Sequence, residues 1–332
     1  MTRCAVIGGG AWGTALADLL ARNGHAVTLW AYESAVVESI NSAHVNPDFL
    51  PGIPLHSALT ATASLDSAVK EADLITFVAP SHVLREICRS ASASLRTGAV
   101  IVVATKGIER GTLALMTDVV RAEIPAARVV ALSGPSFAAE VASHQPTAVV
   151  AASEDDIAAA RVQRAFSSDA FRVYTHTDVT GVEIAGALKN VIAVATGIAE
   201  GLGLGYNPRA ALITRGLAEM TRLGIALGAS PLTFAGLAGM GDLVLTCTGA
   251  LSRNRSVGVE VGKGAALADV LAGRHTVAEG VVTTQSANAL ALRERVDMPI
   301  VAAVHGILFE GRPVRGAITD LMTRELRPEQ DE

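Results

Sequence analysis

The chain is poor in cysteine, in aromatic residues and in charge. Three cysteines, Cys4, Cys88 and Cys247, are scattered over 332 residues. None belongs to a Cys-x-x-Cys pair, so neither a disulfide framework nor a cysteine zinc site is supported, and a reducing cytoplasm fits best. The eight histidines contain no His-x-x-x-His pair, and no metal site is expected. Positive charge is in deficit: 27 Lys and Arg face 32 Asp and Glu, a net charge of −5. That argues against a general nucleic-acid binder, which needs surplus positive charge. No apolar core of a secretory signal follows Met1. One uncharged run, residues 223–241, is long enough to span a bilayer. Pro231 and five glycines break its apolar continuity, so no membrane span is expected. There is no internal repeat and no low-complexity tract.

What is present is a large apolar fraction. Half of the residues are hydrophobic, which excludes global disorder and allows a sizeable core. At about 150 residues per domain the length suggests two domains. The N-terminal half alternates β-branched runs with helical stretches. Strands are expected at 4–7, 26–30, 74–78, 100–104, 129–132, 147–152 and 171–174, with helices at 11–22, 81–94 and 113–123. This alternation implies a mostly parallel sheet covered on both faces. After Thr175 the pattern becomes helical. Ile184, Leu188, Val191, Ile192 and Ala195 recur at i, i+4, i+7, i+8 and i+11. The expectation is an α/β domain over 1–180 and an all-α domain over 181–332, ending in a charged tail, 325–332.

Gly8-Gly9-Gly10-Ala11-Trp12-Gly13 matches G-x-G-x-x-G between the first strand and the first helix. In that context the pattern marks a dinucleotide site. Gly8 allows the tight turn, Gly10 lets a pyrophosphate approach the helix N-terminus, and Gly13 permits close helix–strand packing. Glu33, after the second strand, suits a ribose 2′-hydroxyl. No Lys or Arg lies between Ala31 and Glu38 to hold a 2′-phosphate, so local physics favours NAD over NADP. The same position also suits a carboxylate that simply starts the next helix.

Candidate chemistry sits at later strand ends. Lys106 follows the strand 100–104, where open α/β sheets bind ligands. It can hold a phosphate or polarise a carbonyl, or be a solvated loop lysine. Gly134 and Ser136 follow the next strand and can present donors to an oxyanion; alternatively Ser136 is a helix N-cap. Lys189 and Asn190 interrupt the apolar stretch 184–199. Such a lysine either snorkels to water or is desolvated, with a lowered pKa that suits proton transfer. Asp242, Thr246 and Arg253 are spaced i, i+4 and i+11, on one face if a helix continues through Gly249. With Ser252, Asn254 and Arg255 they can bind a polyhydroxy phosphate. The plainer alternative makes Asp242 an N-cap and the arginines a solvated turn. Cys247 lies in this segment and is expected to be core.

Taken together, these segments resemble the bacterial type of NAD(P)-dependent glycerol-3-phosphate dehydrogenase. The resemblance rests on residues 6–17 (VIGGGAWGTALA), 104–107 (ATKG), 133–138 (SGPSFA), 186–191 (GALKNV) and 241–248 (GDLVLTCT), with Ser252-Arg253-Asn254, in the family's order and across nearly the whole chain. It implies interconversion of dihydroxyacetone phosphate and sn-glycerol 3-phosphate with NAD or NADP as cofactor, feeding phospholipid synthesis. It implies a Rossmann domain, a helical domain of the 6-phosphogluconate dehydrogenase type, and a homodimer.

By matching position, the resemblance makes Lys189 the general acid/base. Lys106 contacts substrate and cofactor, and Asp242 belongs to the same catalytic set. Gly134, Ser136, Asp242, Ser252, Arg253 and Asn254 line the substrate site, to which the reading of the residues themselves adds Asn190 and Thr246. Ala11, Trp12, Tyr32, Ala138, Arg253, Val277 and Glu279 contact the cofactor. Ala11 stands where serine is common, which removes a hydroxyl donor to the phosphates. Tyr32 stands where many relatives carry histidine, and Ser136 where threonine also occurs. Two rivals differ in kind. Another β-hydroxyacid-type dehydrogenase would share the two-domain plan, with a carboxylate satisfying Arg253. A non-catalytic nicotinamide sensor would keep the glycine turn without needing Lys106, Lys189 and Asp242.

Overall fold

A computed structural model describes residues 1–272, 278–326 and 328–329. The N-terminal half is built on an eight-stranded sheet. In chain order its strands are β1 (Arg3–Ile7), β2 (Ala26–Trp30), β5 (Thr60–Thr62), β6 (Leu74–Phe77), β7 (Val100–Val103), β8 (Arg128–Ser133), β9 (Thr147–Ala152) and β10 (Phe171–His176). The spatial order is β10-β9-β8-β7-β6-β1-β2-β5. The first six run parallel; β9 and β10 pair parallel with each other but antiparallel to β8. β1, β6 and β7 are buried on both faces, apart from the edge residue Arg3, which explains their apolar runs, broken inside the sheet only by Thr76. The order reverses beside β1, so a crevice opens where β1 and β6 diverge.

Helices α1 (Ala11–Arg22), α2 (Ser34–Ala43), α3 (Leu65–Val69), α4 (Leu84–Ser92), α5 (Met116–Glu123), α6 (Ala138–Ala142) and α7 (Asp156–Phe166) cover the sheet. The helices expected at 81–94 and 113–123 are shorter, beginning at Leu84 and Met116. Leu113 sits in the left-handed region (φ 60°) and delays the second. The sequence reading missed β5 and a small antiparallel hairpin, β3 (Val45–Asn46) with β4 (Leu50–Pro54). These strands are too short to show a period, and Pro51 and Pro54 punctuate β4.

The C-terminal half is helical. Helix α8 (Val179–Gly201) starts at Asp178, whose carboxylate accepts the Gly181 N–H at 2.8 Å. All of it except Thr180, Glu200 and Gly201 is buried. It is long and apolar enough to cross a membrane, but here it is a core helix covered by its neighbours. Around it stand α9 (Tyr206–Ala226), α10 (Pro231–Phe234), a π-helical turn (Leu237–Gly241), α11 (Asp242–Thr248), α12 (Arg253–Gly262), α13 (Leu267–Ala272), α14 (Glu279–Glu294), α15 (Pro299–Phe309) and α16 (Val314–Met322). The run 223–241 is broken into three helical pieces; the stretch Pro231–Thr248, which overlaps it, is long and apolar enough to cross a membrane by length and composition alone, and 44% of it is buried here. Val277 and part of the expected tail, residues 327 and 330–332, lie outside the described residues.

Two glycine pairs set the distance between α8 and α12. A Cβ on Gly197 would lie 2.1 Å from the Arg255 carbonyl oxygen, and one on Gly258 would lie 2.2 Å from that of Val194. Gly201 and Gly262 repeat the contact one turn on, at 2.2 Å from the Val259 oxygen and 2.3 Å from the Ile198 oxygen. Backbone meets backbone, so no side chain can move aside. Gly258→Ala is expected to destabilise the protein by about 3 kcal/mol. The midpoint of denaturant unfolding checks this; an unchanged midpoint would show that the crossing can open without cost.

Candidate active site

The glycine turn lies at the crevice between β1 and β6. Gly8 has φ +129°, and a Cβ there would meet the Ala79 nitrogen and the Val78 carbonyl carbon at 3.1 Å. A Cβ on Gly13 would lie 1.9 Å from the Gly8 oxygen, so helix and turn touch directly. The space beside Gly10 is open. Gly10 is the N-cap of α1 and no side chain caps that helix, so its first N–H groups face the open space. This cradle fits a pyrophosphate. Gly9 was not singled out from sequence, yet a Cβ there would lie 2.6 Å from that of Ala31. Glu33 is the N-cap residue of α2, but its side chain makes no capping bond. It is exposed beside Tyr32, itself 84% exposed. Both side chains are therefore open to solvent just beyond the end of β2. Ala11 and Trp12 are half-buried in the first turn of α1, and Ala138 is half-buried at the start of α6.

At the centre, one carboxylate holds two lysines from different halves of the molecule. Lys106 follows β7, and its Nζ donates to Asp242 Oδ2 at 2.6 Å and to the Gly134 oxygen at 3.4 Å. Lys189 projects from α8, and its Nζ donates to Asp242 Oδ1 at 2.8 Å and to Thr246 Oγ1 at 2.9 Å. Thr246 Oγ1 in turn donates to the Asp242 carbonyl oxygen at 2.6 Å. Asp242 is 1% exposed and Lys189 is 8% exposed. Burial lowers the Lys189 ammonium from its usual 10.5 to about 8; Asp242 opposes the fall and Lys106 adds to it. Burial works to raise the Asp242 carboxyl, but the two ammoniums outweigh it and hold it below the usual range. Each lysine uses two of its three donors in these bonds, leaving one for a ligand.

Lys189 and Asp242 are thus neither a snorkelling lysine nor an N-cap. Ser136 is not an N-cap either: Phe137 holds that position, and Ser136 Oγ donates to the Gly134 oxygen at 3.0 Å. Gly134 has φ +140° and passes so close to β9 that a Cβ would lie 2.9 Å from Val149 Cα.

One expectation fails. Asp242, Thr246 and Arg253 do not share a helix face, because α11 ends at Thr248 and Gly249 is extended (φ −69°, ψ 137°). A Cβ at Gly249 would lie 2.5 Å from the Phe137 ring, so glycine is the residue that fits there. Arg253 instead begins α12, where Ser252 is the N-cap, accepting the Arg255 N–H at 3.3 Å. Arg255 is not a phosphate donor: its Nε and Nη2 grip Glu200 at 2.9 and 2.6 Å. Arg253 is exposed and makes no ion pair among the described residues.

Asn190 and Asn254 form a buried chain. Asn254 Nδ2 donates to Asn190 Oδ1 at 2.8 Å, and Asn254 Oδ1 accepts the Gly280 N–H at 2.9 Å. This ties α8, α12 and α14 together. Glu279, at the start of α14, reaches the opposite half and accepts from Ser81 Oγ at 2.7 Å and Ser81 N at 3.2 Å. Ser81 escaped the sequence reading because its partner lies 198 positions away. Cys247 is fully buried core, and burial pushes its thiol up to about 12, so it is no nucleophile. Among the described residues, no group of three His, Cys, Asp or Glu side chains is placed to hold a metal.

Profiles of the NAD-dependent glycerol-3-phosphate dehydrogenase family match the chain twice: the N-terminal part over residues 3–159 and the C-terminal part over residues 178–319. The chain is 58% identical to glycerol-3-phosphate dehydrogenase [NAD(P)+] of Geobacter sulfurreducens over 331 residues, 99% of each chain. It is 52% identical to the Myxococcus xanthus enzyme of the same name over 330 residues, 98% of each. The crystal structure of glycerol-3-phosphate dehydrogenase from Coxiella burnetii superposes with a TM-score of 0.94 at 39% identity, covering 97% of this chain and 99% of that one.

Close to this site, Glu183 of α8 is buried and accepts from Thr117 N at 2.9 Å and Thr117 Oγ1 at 2.5 Å. Burial raises its carboxyl from 4.5 to about 7 against those two bonds. A carboxyl raised in the folded state gives stability that is fully present below pH 4.5 and is lost as the pH rises through about 7. Glu219, raised for the same reason, has the same sign. Glu183→Gln is expected to flatten part of this decline. Unfolding free energies measured across that range check it; an unchanged slope would mean Glu183 is already ionised when folded.

Proposed function

The chain belongs to the NAD-dependent glycerol-3-phosphate dehydrogenase family, and we propose that Lys189, Asp242 and Lys106 perform the proton chemistry of that family's reaction. The protein interconverts dihydroxyacetone phosphate and sn-glycerol 3-phosphate with NAD(P)H, supplying glycerol 3-phosphate for phospholipid synthesis. Its helical half is of the 6-phosphogluconate dehydrogenase type. We assign the dinucleotide to residues 1–180 and most of the substrate contacts to residues 181–332. The observation that carries the assignment of roles is the buried Lys189–Asp242–Lys106 cluster between those halves.

The nicotinamide dinucleotide, when bound along the Gly8–Gly13 turn, supplies or accepts the hydride at substrate C2. In the reducing direction, negative charge grows on the substrate oxygen. The protonated Lys189 Nζ donates its remaining hydrogen to that oxygen, while Lys106 stabilises the charge from the other side. Asp242 and Thr246 keep Nζ from rotating away. Gly134 and Ser136 border the substrate at the end of β8, and Asn190 and Asn254 brace the wall opposite. Arg253, free of ion pairs among the described residues, anchors the remote phosphate. That anchoring positions the reacting carbon. Glu33 and Tyr32 receive the adenosine end, and Lys106, Ala138, Arg253 and Glu279 receive the nicotinamide end.

Three further assignments belong to this reading. The net charge of −5 supports a protein that does not act on nucleic acid. Buried cysteines without disulfides support the cytoplasm. A homodimer is supported by α9, which buries only Gly216, Glu219, Met220, Leu223 and Gly224 and leaves Tyr206 83% exposed.

The primary test is the loss of reduced-nicotinamide absorbance with dihydroxyacetone phosphate, with NADH and NADPH in parallel. Folded protein that binds NADH but oxidises neither cofactor would sink the assignment. Lys189→Ala should lower kcat roughly 100-fold or more while NADH still binds. For the wild type, reduction should weaken as the pH rises through about 8, because the donor ammonium is lost, and oxidation should strengthen over the same range. A flat pair of profiles would remove Lys189 from proton transfer. Arg253→Ala should raise the KM for dihydroxyacetone phosphate by about tenfold or more; an unchanged KM would contradict the phosphate role.

A further inference from the structure

The glycines that open the crevice to a pyrophosphate also leave the backbone soft. Gly8, Gly9 and Gly10 follow one another, so the peptide joining Gly9 to Gly10 has no Cβ on either side to restrict it. A trans peptide carries its carbonyl and its N–H on opposite edges. Turned over, this one would meet an incoming phosphate with a carbonyl oxygen in place of a donor.

An amide from outside the turn settles its orientation. Asn46 ends β3 and is fully buried. Its Nδ2 donates to the Gly9 carbonyl oxygen at 2.8 Å and to Thr14 Oγ1 at 2.8 Å. Thr14, also fully buried, donates its hydroxyl to the same Gly9 oxygen at 3.2 Å. Asn46 Oδ1 accepts the Phe49 N–H at 3.2 Å, which fixes the amide with its two hydrogens toward the glycine turn. Both lone pairs of the Gly9 oxygen are thus engaged on its buried side, and the Gly10 N–H leaves the same trans peptide in the opposite direction. The segment that carries Asn46 has its own anchorage. Leu50 and Leu55 are core residues, and the His56 N–H donates to Asp18 Oδ1 of α1 at 2.6 Å.

We propose that Asn46 is a positioning residue for the dinucleotide: it holds the Gly9–Gly10 peptide with its carbonyl turned inward and so leaves the Gly10 N–H to the pyrophosphate. The proposal rests on the reading of the Gly8–Gly13 turn as the pyrophosphate cradle. Without the amide, the Gly9 oxygen keeps only the longer bond from Thr14, and the peptide samples both orientations. Binding then has to select one of them, and the loss appears in the affinity for NADH. Once the dinucleotide is seated the peptide is held, so the hydride and proton steps proceed as before.

The test is calorimetric titration of the full chain with NADH, together with steady-state kinetics, for Asn46→Ala, Asn46→Asp and Gly10→Val. Asn46→Ala should raise the Kd for NADH roughly tenfold, the scale of one lost hydrogen bond to a buried acceptor, with kcat at saturating NADH and the KM for dihydroxyacetone phosphate within about twofold. A merely structural role gives another pattern: fewer binding sites per chain and a lower kcat, with Kd unchanged in the folded fraction. That pattern overturns the proposal, and so does an unchanged Kd with every site retained. Asn46→Asp keeps the volume and the bond from Phe49, and it decides the matter if Asn46→Ala does not fold. Ionised, it has no hydrogen to give Gly9; protonated, it has one. Its Kd relative to the wild type should therefore be raised at alkaline pH and recover as the pH falls. A ratio that ignores pH overturns the proposal. Gly10→Val separates the two readings. The space beside Gly10 is open and its φ of −68° suits any residue, so the side chain fits the free protein but takes the place of the pyrophosphate. An unchanged Kd there sinks the cradle itself, whereas a raised Kd beside an inert Asn46→Ala sinks only the role of Asn46.

Discussion

The buried carboxylate of Asp242 is the constraint on which the site depends. It receives Lys106 from the sheet and Lys189 from the central helix, one on each oxygen. Two ammoniums this close would repel each other, and in a poorly hydrated place the repulsion is weakly screened. A single carboxylate between them makes the arrangement tenable without fully neutralising it. In the proposed mechanism the cluster presents a net positive charge to a substrate that carries a phosphate and develops an oxyanion. It also fixes how the halves meet, because neither lysine can be satisfied unless the end of β7 and the middle of α8 approach the same carboxylate. Ile108 and Leu115 reinforce this: they belong to the N-terminal segment but pack into the helical core.

The surrounding framework is built to hold that point still. The glycine contacts let α12 lie against α8 backbone to backbone. That closeness brings Asn254 to Asn190, and Asn254 in turn takes the Gly280 N–H at the start of α14. Gly280 must also be glycine, since a Cβ would lie 2.6 Å from the Asn190 oxygen. Three helix segments thus converge through amides that have little rotational choice. The same convergence places Arg253 and Glu279 at neighbouring helix starts, with Glu279 Oε2 3.7 Å from where a Cβ on Gly107 would sit. Small residues here set distances, and the polar residues between them set orientation.

How much of this was legible in the sequence follows from the range of the forces involved. The turn at Gly8–Gly13 is local: a tight turn, a close approach and a helix start each demand glycine within six residues, so pattern and structure agree. Lys189 was legible because a charged residue in an apolar helical stretch violates the pattern around it. The break at Gly249 was only half legible. A glycine there is a local hint of a stop, but that a Cβ at Gly249 would meet the Phe137 ring, more than a hundred positions away, is seen only in space, so a helix running on to Arg253 stayed open in the sequence. The glycines of α8 and α12 could have been noticed, since Gly197 and Gly201 share a spacing with Gly258 and Gly262. What the spacing could not show is that the two pairs face each other. Ser81 carries no signal of its own, because a serine after a strand has many ordinary uses.

The lysine's ionisation shows why burial and charge must act together. Desolvation alone would leave Lys189 largely neutral and poor at giving up a proton to an oxyanion. A fully paired ammonium would stay protonated and poor at accepting one from an alcohol. With burial lowering it, Asp242 raising it and Lys106 lowering it again, the group settles at about 8. Close to neutrality it can serve either direction of a reversible reaction, as a group that must give and take the same proton requires. In the proposed mechanism Lys106 therefore acts twice: it stabilises the developing charge, and it holds its neighbour near the pH at which the proton is exchanged. A change at Lys106 should for that reason move the pH profile as well as the rate, which distinguishes a tuned pair from two lysines that merely share a carboxylate.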